Sequence, residues 1–157
     1  MRRDGLLVGY VVAGALVAVL LAGCGSSTLS ARELRRRATL VCTTAVRRSD
    51  RISLPPSNAA GAVFLARGIT IFRPELTALR KLAPPRSLAN AYRVALADSA
   101  QQLDALIATD HNLRNGGDPV VAIRQLDVEL GPINDRDRAS WRTVGAPACA
   151  NLTLSGR

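Results

Sequence analysis

Leu65, Ile69, Phe72, Leu76 and Leu79 recur at intervals of four, three, four and three residues. That spacing sets an apolar side chain on the same face of an α-helix at every turn. The rhythm returns in Leu34, Ala38, Val41 and Ala45, and again in Leu88, Tyr92, Leu96, Ser99, Leu103, Leu106 and Leu113. A fourth stripe runs through Ile123, Leu126, Leu130 and Ile133 to Trp141 and Val144. No useful length of alternating polar and apolar residues appears, and Gly/Asn hairpin signals are absent. Four amphipathic helices with short connections predict an all-α, up-down antiparallel four-helix bundle.

Punctuation along the chain sets the expected boundaries. Ser30-Ala31-Arg32-Glu33 reads as a capping box, with the Ser30 hydroxyl accepting the amide of Glu33 and Glu33 reaching back, and the helix it opens runs to about Arg48. Leu54-Pro55-Pro56-Ser57 breaks the chain and offers Ser57 as the next N-cap. Pro74 lies inside the second stripe and is expected to kink that helix or split it. Leu82-Ala83-Pro84-Pro85 separates the second helix from the third, which should stop at Asn115-Gly116-Gly117. Asp118-Pro119 supplies an N-cap and an N1 proline for the fourth helix, with a bend expected at Gly131-Pro132. Helices one and four should be neighbours, the far end of helix four returning towards the start of helix one. Gly61 and Gly68, seven residues apart, favour a close helix approach over a shallow groove.

The first 24 residues have the parts of an export signal. Arg2 and Arg3 give a positive start, Gly5 to Leu21 carries no charge, and Ala22-Gly23 supplies small residues beside a cleavage point. A permanent transmembrane anchor needs roughly 20 apolar residues, and this run is slightly short and rich in Gly and Ala. Leu21-Ala22-Gly23-Cys24 resembles the lipobox of bacterial lipoproteins. The resemblance implies cleavage before Cys24, a diacylglycerol on its thiol, and a chain tethered to a membrane. The expected organisation is a signal peptide over residues 1–23, a lipidated tether over 24–29 and a helical domain over 30–157. The expected location is the outer face of the cytoplasmic membrane.

With Cys24 lipidated, Cys42 and Cys149 remain, an even count in an oxidising compartment, which reads as a disulfide. To close it, the Gly145-Ala146-Pro147-Ala148 segment must bend back. After cleavage 19 basic residues face 11 acidic ones, a net of +8, since Arg2, Arg3 and Asp4 have left; Lys81 is the only lysine. Export argues against nucleic acid as partner and favours an anionic leaflet, an envelope polymer or a protein partner.

Taken together, the Cys24 lipobox, Leu40-Val41-Cys42, Leu82-Ala83-Pro84-Pro85 followed by Leu88 and Tyr92, and the ending Val144-Gly145-Ala146-Pro147-Ala148-Cys149 resemble a group of small lipid-anchored or secreted helical proteins of mycobacteria and related actinobacteria. The resemblance implies a disulfide-closed helical domain outside the cytoplasmic membrane. It carries over no catalytic residue.

Chemistry-bearing residues are sparse. His111, the sole histidine, sits near a predicted helix end, where an imidazolium complements the helix dipole. No GxSxG elbow or ExxH pair is present, and Gly116-Gly117 lacks the Lys of a phosphate loop. Ser99 is read as a buried hydroxyl bonded to its own helix. Asp127 and Glu129 cannot share a helix face, and Asp135-Arg136-Asp137-Arg138 reads as a solvated, self-compensating surface. Asn151-Leu152-Thr153 matches a glycosylation acceptor by letters only, and Phe64, Phe72, Tyr92 and Trp141 are read as core. The expectation is a membrane-anchored, non-enzymatic binding or interaction module without cofactor or metal. The alternative is a carrier holding a small apolar ligand or lipid near Gly61, Gly68 and Trp141.

Overall fold

The structure is a computed structural model that describes residues 28–53, 55, 57 and 60–151. The expected leader, Cys24 and most of the tether, and Leu152-Thr153, lie outside the described residues. Four helices, α1 (Ala31–Ser49), α2 (Gly61–Arg80), α3 (Arg86–Arg114) and α4 (Pro119–Val144), are followed by a 3-10 turn at Cys149–Asn151. Among the described residues there is no strand. The helices run up and down as an antiparallel bundle, consecutive helices packing on each other and α3 against α4 most extensively. None of them is long and apolar enough to cross a membrane.

Local chemistry explains most of the ends. Ser30 caps α1, its Oγ accepting from the Glu33 amide at 3.2 Å. The reciprocal half of the expected capping box does not form, because the Glu33 carboxylate turns to Arg36 at 2.8 Å and Arg37 at 2.6 Å. Three bonds from cationic guanidinium groups outcompete one from the neutral Ser30 amide. Ser57 does not cap α2: the helix starts three residues later behind Ala60, with no side-chain cap. Asp118 Oδ1 accepts from the amides of Val120 and Val121, with Pro119 at the first helical position as expected.

Neither internal proline splits its helix. Pro74 and Pro132 sit on exposed faces, and so do Thr70 and Val128, whose carbonyls lose their donors. Water can serve those carbonyls, so each helix continues past its proline. Gly145 ends α4 in the left-handed region at φ 82°, where its amide and that of Ala146 close back on α4. This turn sends the tail back across α1, and Cys42 is disulfide-bonded to Cys149.

The core has two halves. One joins Leu34, Ala38 and Cys42 of α1 to Leu79, Tyr92, Trp141, Val144 and Cys149. The other gathers Leu65, Ile69, Phe72, Leu76, Leu103, Leu106 and Leu126. Tyr92 and Trp141 meet edge to face at 5.7 Å, and the Tyr92 hydroxyl donates to the Leu79 carbonyl at 2.8 Å. Of the four aromatic rings expected in the core, Phe64 is only half-buried. α1 packs along α2 and the C-terminal turn. It meets α4 only near that helix's end, where Arg35 Nε donates to the Val144 carbonyl at 2.9 Å.

Candidate functional site

A polar seam lies between α3 and α4 inside the bundle. Ser99 Oγ donates to Asp137 Oδ1 at 2.7 Å, and the Trp141 indole N–H is shared between the same carboxylate oxygen at 3.1 Å and Ser99 Oγ at 3.0 Å. Ser140 donates to Asp98 at 2.6 Å, and the Gln102 amide donates to Asn134 at 2.9 Å. Two sequence readings fail here. Ser99 bonds across to α4 and not to its own helix. Asp137 is only 3% exposed and is no part of a solvated surface. The reason is register: Ile133, Asp137 and Trp141 are four apart, so Asp137 lies on the buried stripe while Asp135 and Arg136 face water.

From α2 a second carboxyl enters the same region. Glu75 is 8% exposed, and its Oε2 has no hydrogen-bond partner among the described residues. Burial, followed by the Asp137 carboxylate, raises the Glu75 carboxyl to about 9. Burial likewise raises Asp137, to about 6, against the bonds from Ser99 and Trp141 that favour its charged form. Glu75, Ser99, Gln102, Asp137 and Trp141 border an inner cavity of about 10 Å³. Such a space holds about one water molecule. It has no room for an organic substrate.

Glu75 also borders a groove of about 260 Å³ on the outer side, between α1 and α2. Leu40, Val41, Pro74 and Ala78 make its apolar walls, and Arg48 stands at one end. The small side chains of Ala45 and Ala78 and the short ring of Pro74 leave the two helices without a filling residue between them.

Charge is distributed unevenly along the bundle. Leu29, whose amide bonds to the Ala83 carbonyl at 2.8 Å, fixes the chain's entry at the end shared by the start of α1 and the end of α4. Within about two helical turns of that end stand Arg32, Arg35, Arg36, Arg37, Arg73, Arg80, Lys81, Arg86, Arg93, Arg138 and Arg142, all but Arg138 exposed. Among the described residues Glu33 and the buried Glu75 and Asp137 oppose them, an excess of eight by eleven against three. At the opposite end Arg47, Arg48, Arg51, Arg67, Arg114 and Arg124 face Asp50, Asp110 and Asp118, an excess of three by six against three.

The remaining sequence candidates fall as follows. His111 is exposed in the last turn of α3, beside the Asn115 side-chain amide. Asp127 and Glu129 are exposed on α4. Gly61 supports close approach, since a Cβ there would lie 3.3 Å from Ile123. Gly61 and Trp141 are not brought together: Trp141 packs beside Leu79, 18 residues from Gly61 along α2, or about 27 Å of helix. Among the described residues no cluster of three or more His, Cys, Asp or Glu side chains is arranged to hold a metal. Sequence reasoning missed Glu75 and Asp137, although each occupies a position on an apolar stripe.

No family model matches the chain, and neither does any curated protein or solved structure.

Proposed function

We propose that the protein is a lipid-anchored, non-enzymatic interaction module of the extracytoplasmic membrane face, its basic end resting on an anionic surface. The observation that carries this reading is the coincidence of the basic end with the end where the chain enters the bundle. From Cys24 to Leu29 is five residues, which span at most about 17 Å when extended. A diacylglycerol on Cys24 therefore keeps the arginines near the headgroups. Surface potential decays over roughly 8 Å at physiological ionic strength, so a domain settling against the headgroups gains on the order of 1 kcal/mol for each basic residue that reaches them.

Lys81, the only lysine and exposed at the basic end, provides the test. The lipidated protein carrying Lys81→Cys, labelled there with a maleimide fluorophore while Cys42 and Cys149 stay disulfide-bonded, is reconstituted into vesicles carrying headgroup nitroxide quenchers. Quenching is expected to be strong in vesicles containing phosphatidylglycerol and to fall as salt is raised. Equal quenching in zwitterionic and anionic vesicles, insensitive to salt, refutes the proposed contact.

A further inference from the structure

The bundle is also charged unevenly across its width. α1 packs beside α2, and α3 beside α4, so residues 31–81 form one layer and residues 86–144 the other. The α1–α2 layer holds eleven basic residues against three acidic ones, an excess of eight, and all eleven are exposed. Of its acids, Glu75 is buried and Glu33 is held by Arg36 and Arg37. The α3–α4 layer holds seven basic residues against eight acidic ones, a net of minus one. Exposed aliphatic side chains occur on both layers, but in opposite surroundings. Leu40, 62% exposed, stands on α1 between Arg36-Arg37 and Arg47-Arg48, whereas Val128, 73% exposed, stands on α4 between Asp127 and Glu129. We propose that the α1–α2 face lies flat against the anionic leaflet that carries the anchor, with Leu40 and Val63 among the headgroups and the α3–α4 face turned away.

This orientation rests on the lipid-anchored reading and adds which side of the domain meets the bilayer. Arg47, sixteen residues from the start of α1, stands about 24 Å from the basic end. A domain upright on that end holds Arg47, Arg48, Arg51 and Arg67 far beyond the screening length of roughly 8 Å. Lying on α1 and α2, it brings them to the headgroups together with Arg36 and Lys81. The tether leads directly into α1 at Leu29, so this face reaches the leaflet without the tether crossing the bundle. α2 contributes an outward stripe of Val63, Arg67, Thr70, Pro74, Thr77 and Lys81, all exposed and none acidic. A basic face with scattered aliphatic side chains matches an interface that is anionic outside and apolar beneath. The exposed acids of α4 are repelled by the same leaflet.

The test maps which side is close to the headgroups. The lipidated protein is labelled with a maleimide fluorophore at one of three exposed positions, Lys81→Cys, Thr44→Cys or Val128→Cys, while Cys42 and Cys149 stay disulfide-bonded. It is reconstituted into vesicles of phosphatidylcholine and phosphatidylglycerol carrying headgroup nitroxides. Thr44 and Val128 stand at similar heights, about 20 Å and 24 Å from the basic end. Quenching at Thr44→Cys is expected to match that at Lys81→Cys and to exceed that at Val128→Cys by about threefold or more. Adding Arg47→Glu and Arg48→Glu, both at exposed positions, should lower quenching at Thr44→Cys by about twofold or more, with far-UV circular dichroism and quenching at Lys81→Cys unchanged. Strong quenching at Lys81→Cys with equal, weak quenching at the other two positions means that the domain stands on its end, which overturns the face assignment and leaves the end-on contact standing. Weak quenching at all three positions removes both. If soluble polyglutamate abolishes quenching at Thr44→Cys but not at Lys81→Cys, the face prefers an acidic chain to the leaflet and the assignment is overturned.

Discussion

Glu75→Gln isolates the cost of holding a protonated carboxyl inside the bundle. In the unfolded chain this group titrates near 4.5, whereas folding raises it to about 9. The folded state therefore keeps a proton that the unfolded state releases, and stability from this group is complete below pH 4.5 and lost progressively towards pH 9. Each pH unit in that window costs about 1.4 kcal/mol, so the three units from pH 5 to pH 8 cost about 4 kcal/mol. Asp137, raised from 3.8 to about 6, adds a fall of the same sign that ends near pH 6. Glutamine keeps the shape and abolishes the titration. Its buried amide forfeits about 1–3 kcal/mol if its hydrogen bonds go unmet, an offset that is the same at both pH values. Urea unfolding followed by the fluorescence of Trp141, the only tryptophan, gives the free energy at pH 5, 6.5 and 8. The wild type should lose about 4 kcal/mol more than the variant between the outer two values. Parallel pH profiles for the two proteins would refute the assignment of a protonated Glu75.

Three further perturbations probe other parts of the structure. Replacing Cys42 and Cys149 together by serine should lower stability by up to about 4.7 kcal/mol in the chain-entropy model, read as a lower urea midpoint, because the bridge closes a separation of 107 residues; an unchanged midpoint contradicts it. Gly145→Ala should cost about 2 kcal/mol, since a left-handed residue with a Cβ is penalised by roughly 1–2 kcal/mol and that Cβ would lie 2.7 Å from Arg35 Nε; a Gly145→Ala protein as stable as wild type contradicts the turn. Ser99→Ala removes a donor to Asp137 and should cost about 1–3 kcal/mol. It should also push the Asp137 titration, followed by carboxyl carbon NMR, above its present value near 6.

Much of the bundle is legible in the sequence because its signals are local. The Ser30 and Asp118 caps, the Gly145 stop and the four stripes each need only a few neighbouring residues to act. The misreadings share a different cause. Ser57 is a sound cap by residue type, but α2 begins behind Ala60 without a side-chain cap, at Gly61, which lies close against Ile123 of α4. The Asp135 to Arg138 run looks like surface when read residue by residue, whereas the four-residue step from Ile133 to Trp141 carries Asp137 inward. Glu75 is concealed in the same way, three residues after Phe72 and four before Leu79. A polar residue on a stripe is readable as buried, but what it meets there belongs to another helix. The bond from Ser99 to Asp137 spans 38 residues, and no local pattern records it. The charged end is intermediate: its arginines are plain in the sequence, but they gather only once the antiparallel order is known.

The functional reading stands on the attachment of the chain at its N-terminal, basic end. Intact-mass spectrometry of the protein isolated from the membranes of its native host measures this attachment directly. The account predicts a chain that begins at Cys24 with diacylglycerol in thioether linkage on its sulfur. A chain that begins at Met1 with an unmodified Cys24 would contradict the anchor, and with it the reason for the basic end to face a bilayer.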